Sequence, residues 1–102
     1  MGISDFLKGF LQKDTVWAKG IPIPGYDSAV WRRDSTGSVM RYSDYGDRDS
    51  AYGWEIDHIH PDGPDELWNL QPLYWLNNAR KSDKLPTTTF SSFMDLMMRT
   101  RK

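Results

Sequence analysis

Residues 54–81, WEIDHIHPDGPDELWNLQPLYWLNNARK, decide how this chain is read. Trp54 to Ile59 alternate polar and apolar side chains, the period of a strand with one buried face. Pro61, Gly63 and Pro64 end that strand and open a loop, because proline lacks an amide donor and glycine bends freely. From Trp68 the spacing of Leu70, Leu73, Tyr74 and Leu76 predicts an irregular entry and then a helix over Leu73 to Lys81. Pro72 is tolerated near the start of such a helix.

This arrangement gathers chemistry. Asn69 lies eleven residues after His58, Asn78 nine later, and Lys81 three beyond that, one turn along the same helix face. A strand end, a loop and a helix bring Asp57, His58 and Asn78 into one notch. Asp57 offers an anionic oxygen and Asn78 a neutral carbonyl oxygen, the ligand types that Mg²⁺ or Mn²⁺ accepts while keeping sites for water and phosphate. An imidazole titrates near neutral pH, so His58 suits a general base. Asn69 is placed to bond backbone across the loop and fix the His58 ring. The expected chemistry is phosphodiester hydrolysis.

These residues resemble the HNH endonucleases, nucleases of the ββα-metal (His-Me finger) type. The family pattern is an acid–His pair at a strand end, a central Asn near NLQPL, and a final His or Asn on the next helix with Lys soon after. IDHIHP, WNLQPL and NNARK match it in order and spacing, over about Gly53 to Lys84, roughly a third of the chain. The resemblance implies an α+β fold with a small ββα-metal core and flanking N- and C-terminal helices. It implies Asp57 and Asn78 as ligands of one divalent metal, His58 as base, Asn69 as the loop-orienting residue, and Lys81 near substrate phosphate or the helix end. Mg²⁺ or Mn²⁺ is expected, with Zn²⁺ or Ni²⁺ as second choices, since an Asn in the last position favours oxygen coordination. Many relatives carry CxxC knuckles around a structural zinc; this chain has no cysteine. WRRDSTGSVMR, residues 31–41, sits where one such knuckle often precedes the motif, so the core is expected to rest on Trp31, Trp54, Trp68, Tyr74 and Trp75.

Other residues admit two readings. His60 is either a third ligand or phosphate contact, or a surface residue. Asn77 reads as a capping or exposed neighbour, though a one-residue shift of the helix exchanges it with Asn78. Asp62 and Asp65 read as loop residues. Arg32, Arg33, Arg41, Arg80 and Lys84 are candidate phosphate contacts, of which Arg33, Arg80 and Lys84 join Lys81 and His60 as the expected substrate-binding set.

Outward from the motif, residues 1–19 read as an N-terminal helix or arm, with a short amphipathic helix at ISDFLKGFLQ, and 20–53 as a loop-rich lead-in. GIPIPG, residues 20–25, is expected to be extended, Asp27 to Arg33 to hold a helical turn or two, and DSTG, residues 34–37, to form a tight turn. Val39 and Tyr42 weakly suggest a strand. Residues 54–84 hold the motif, and 85–102 an amphipathic C-terminal helix with a basic tail. All of this fits one domain of 102 residues.

The formal charge is -1, but eight acids and one base fall between Asp44 and Glu66, and six bases and two acids between Arg80 and Lys102. These are either two solvated faces or an acidic, cation-attracting pocket beside a polyanion-attracting ridge. Aromatic residues make up 14% of the chain, enough burial to oppose disorder. No apolar run approaches the ~20 residues of a membrane span, and MGISDF is neither a signal segment nor, with Phe6, a myristoylation pattern. A cytoplasmic protein without membrane contact is expected. Double-stranded DNA is the expected partner, with an inhibitor or larger assembly as a further one. A non-catalytic nucleic-acid or partner-binding module, with apolar stripes at Phe6/Phe10 and Phe93/Met97, is the alternative.

Overall fold

A computed structural model describes residues 2–81; the expected C-terminal helix and Lys84 lie outside them. The architecture is α+β. Helix α1 (Gly2–Trp17) leads into strands β1 (Ile21–Pro22), β2 (Trp31–Arg33) and β3 (Val39–Arg41), which form an antiparallel sheet in that order. A 3₁₀ turn at Tyr42–Asp44 precedes strand β4 (Trp54–His58), a second one at Leu67–Asn69 precedes β5 (Leu70–Tyr74), and α2 (Trp75–Lys81) follows directly. β4 and β5 pair antiparallel as a separate two-stranded sheet. No helix of the described residues is long and apolar enough to cross a membrane.

The core forms where α1 meets both sheets. Val16, Trp17, Met40, Trp54 and Leu70 are buried together, with Tyr42, Ile56 and Tyr74 packed against them. The Trp17 ring lies 4.9 Å from Trp54 and 5.5 Å, edge-on, from Tyr42. Both indole N–H groups are satisfied by backbone, Trp17 by the Ser28 carbonyl and Trp54 by that of Tyr42, each at 3.0 Å, so the large apolar surface is buried without an orphaned donor. α1 runs five residues beyond the ISDFLKGFLQ segment, which brings Trp17 into the core. Trp68, expected in the core, is 61% exposed, because it sits on the 3₁₀ turn that only leads into β5. Trp31, Tyr74 and Trp75 are half-buried.

Two segments depart from the sequence expectations. Residues 28–30 turn once, and Trp31–Arg33 is strand rather than helix, held between β1 and β3. The Arg32 guanidinium closes this junction, donating to the carbonyls of Ser28, Ala18 and Gly20 and so capping the C-terminal end of α1 with a cation. Likewise Leu70–Tyr74 is a strand, so the helix expected over Leu73 to Lys81 begins only at Trp75. The register explains how it tolerates Pro72. Ile59 and Trp75 donate to the Asn69 and Gly53 carbonyls across the ladder, so 55–73 and 57–71 are hydrogen-bonded pairs and 56–72 is not. The amide that Pro72 lacks would have pointed away from β4.

A buried carboxylate joins the two sheets. Asp34 is fully buried in the β2–β3 turn, where Gly37 adopts a φ of 97°. Its Oδ1 accepts from the Thr36 amide (2.9 Å), the Thr36 hydroxyl (2.7 Å) and the Ser38 amide (3.0 Å). Its Oδ2 accepts from the Tyr74 amide and from Asn77 Nδ2, each at 3.0 Å. Burial opposes its ionisation, but the bonds from Thr36, Tyr74, Asn77 and Ser38 outweigh that and hold the carboxyl below the usual carboxylate range. Asp34 thus fixes the start of α2, and with it every residue that α2 presents to β4.

Candidate functional site

Strand alternation places Glu55 and Asp57 on one side of β4, and α2 lies along that side. Asp57 is only 7% exposed. Gln71, its cross-strand neighbour, donates Nε2–H to Asp57 Oδ2 at 2.9 Å, and Lys81 Nζ donates to the same oxygen at 2.5 Å. The Lys81 ammonium also donates to the carbonyls of His58 (2.5 Å) and Ile59 (3.2 Å). One turn earlier on α2, Asn78 Nδ2 donates to Glu55 Oε1 at 2.7 Å. Arg48 grips the same carboxylate in a fork, Nε to Oε2 at 2.7 Å and Nη2 to Oε1 at 2.9 Å. With the Asn78 nitrogen on Glu55, its Oδ1 is the atom with ligand chemistry.

The loop after β4 is built on Asn69. This side chain is fully buried. Its Oδ1 accepts the His60 amide at 2.9 Å, and its Nδ2 donates to the carbonyls of His60 (3.1 Å) and Pro64 (3.0 Å). The loop passes so close that a Cβ on Gly63 would lie 2.5 Å from Asn69 Nδ2; only glycine fits. Asp65, on this loop, pairs with His58 Nε2. A carboxylate can only accept, so the neutral ring carries its proton on Nε2 and leaves Nδ1 as the basic nitrogen.

The structure therefore brings Asp57 and Lys81 into contact and sets Asn78 beside Glu55 on the same side of β4. The imidazole of His58 is held by Asp65, while the His58 carbonyl is held by Lys81. His60 is exposed, its ring 6.4 Å from that of Trp68. Asn77 serves the Asp34 junction, donating also to Thr36 and Ser38 hydroxyls at 3.0 Å. Arg80 is half-buried on α2. Arg41 is paired with Asp44 at 3.0 Å, and Arg33 lies on the three-stranded sheet, where it donates to the Gly37 carbonyl. Three further residues touch the candidate site: Glu55 and Gln71, to which the sequence reading gave no role there, and Asp65, which it read only as a loop residue. Glu55 had a legible signal, since it shares the period-two face with Asp57. Gln71 and Asp65 had none, because each depends on a register or a loop path.

Among the described residues, no three His, Cys, Asp or Glu side chains gather to hold a metal by themselves. Apart from the Glu55 carboxylate, which Arg48 grips, the oxygen donors on this side of β4 are the Asp57 carboxylate, the Asn78 amide oxygen and backbone carbonyls. Such a sparse oxygen set suits Mg²⁺ or Mn²⁺, which keep several waters and lean on substrate phosphate, better than Zn²⁺ or Ni²⁺. No family model matches the chain, and no curated protein or solved structure matches it either.

Proposed function

We propose that this chain is a metal-dependent endonuclease of the HNH type, hydrolysing DNA phosphodiester bonds, with β4, β5 and α2 as a ββα-metal core. One observation carries this reading: the buried Asp57 carboxylate is closed off by the cation of Lys81, with Asn78 one turn away and His58 next in sequence. Asp57 and Asn78 Oδ1 would hold one Mg²⁺ or Mn²⁺. Such an ion supplies polarisation of a phosphate oxygen and neutralisation of the departing one.

The remaining work falls to the chain. His58 Nδ1 takes a proton from the attacking water, and Asp65 steadies the ring as it becomes cationic. Asn69 holds the loop that carries Asp65, so the orientation of the base depends on a fully buried amide. Gln71 keeps the Asp57 carboxylate in place, and Lys81, on the same carboxylate, is positioned to meet substrate phosphate when it lets go.

Incubation with supercoiled, linear and single-stranded DNA, with RNA alongside, tests the proposal. Cleavage is expected with Mg²⁺ or Mn²⁺ and lost in EDTA, and His58→Ala should lower the rate by about 10²–10⁴-fold without unfolding. Cleavage that survives both EDTA and His58→Ala refutes it. A chain that binds DNA but cuts nothing with Mg²⁺, Mn²⁺, Zn²⁺ or Ni²⁺ is instead a non-catalytic module.

A further inference from the structure

The three-stranded sheet has a second face that the site does not use. Met40 is buried in the core, so alternation turns Arg32 with it and sends Trp31, Arg33, Val39 and Arg41 to the other side. There Ile23, Tyr26, Trp31, Arg33, Val39 and Tyr52 line a cleft of about 370 Å³, within the ~300–1,000 Å³ range of ligand sites. Trp31 and Tyr52 meet edge to face at 5.1 Å and make one corner. The Arg41 guanidinium lies 5.6 Å from both ring centroids. Tyr26 also lines the cleft and is 63% exposed, so its ring is open to a ligand.

The lining is specific in its charge. It holds three aromatic rings and one cation, Arg33, and no carboxylate. Arg33 donates to the Gly37 carbonyl at 2.9 Å and has no ion-pair partner among the described residues. Aromatic faces stack on flat rings, and a guanidinium fork matches phosphate. A base inside a duplex is already stacked and paired and presents no free face, whereas an unpaired base does.

We propose that this cleft binds an unpaired nucleobase of a single-stranded polynucleotide, stacked against Tyr26 and the Trp31–Tyr52 corner, with its phosphate on Arg33. The inference rests on the nucleic-acid partner of the proposed function and narrows it: the chain engages single-stranded segments on a face separate from the hydrolytic site.

The test is fluorescence anisotropy of the full-length chain with labelled oligothymidylate and oligouridylate in EDTA. Wild type should bind. Tyr26→Ala should weaken binding about 5- to 150-fold, the range of one lost stacking contact. Arg33→Ala should weaken it and reduce the log–log salt slope by about one. Both positions are exposed, and an unchanged thermal midpoint verifies that each variant folds. Loss in both variants, for DNA, RNA or both, supports the cleft. Wild type that binds neither oligonucleotide, folded variants that bind as wild type does, or preference for a proline-rich peptide overturns it. Failure of the nuclease reading is separable: there, wild type binds the oligonucleotide through Tyr26 but cuts no substrate.

Discussion

Replacing Asp34 by asparagine keeps the shape of the β2–β3 turn but removes the charge that joins the two sheets. Five donors converge on the carboxylate. An amide in its place offers one acceptor oxygen and turns an N–H₂ group toward donors. The Thr36 and Ser38 groups lie near the surface and can turn to water. The Tyr74 amide at the end of β5 loses its partner, at about 1–3 kcal/mol, while Asn77 keeps the Thr36 and Ser38 hydroxyls and loses a charged acceptor, about 1.5–3 kcal/mol. The expected loss for Asp34→Asn is therefore about 3–5 kcal/mol, a large part of the ~5–15 kcal/mol that a domain possesses. Denaturant unfolding followed by tryptophan fluorescence measures it, because Trp17 and Trp54 are buried together.

The pH dependence gives a second readout. The folded-state carboxyl is held below its unfolded value, so its stabilisation is fully present above pH ~4 and is lost as pH falls through the folded pKa. The gap between wild type and Asp34→Asn should stay constant from neutral pH to about 5 and narrow below 4. A loss under about 1 kcal/mol at neutral pH, or a gap that widens in acid, refutes Asp34 as the fastening between the sheets.

Further outcomes follow from other contacts. Gly63→Ala places a methyl against the locked Asn69 amide and should cost about 1–3 kcal/mol, read as a lower thermal midpoint and faster exchange of the His60 amide. Lys81→Met removes the cation that occupies Asp57 and should strengthen Mn²⁺ binding by calorimetry while leaving the carboxylate harder to bury without metal. Trp54→Ala should cost about 3–5 kcal/mol in denaturant unfolding, whereas Trp68→Ser, at an exposed site, should stay within about 0.5 kcal/mol.

The local signals in the sequence were uneven in what they could reveal. β4 was legible because Trp54, Ile56 and their polar neighbours obey a two-residue period, and the 34–37 turn because Asp and Gly have distinct backbone chemistry. β5 was not, since Leu70–Tyr74 carries a proline and a spacing that suits a helix entry equally well; only pairing with β4 decides. Trp68, expected in the core, is exposed, and Trp17, given no role by the sequence, is buried, because side-chain size does not report burial when the element's true length is unknown. At the site, Asp57, His58, Asn69, Asn78 and Lys81 were legible as chemistry. Of their partners, Glu55 shares the period-two face with Asp57, whereas Gln71 and Asp65 follow from register and loop path, which no spacing encodes.

Titration of Mn²⁺ into the full chain, followed by calorimetry, tests the shared cation most directly. Wild type should bind one ion per chain, Asp57→Ala should lose that binding, and Asn78→Ala should weaken it with the fold intact. Equal binding by wild type and Asp57→Ala, or none by a folded wild type, would contradict a metal site between β4 and α2.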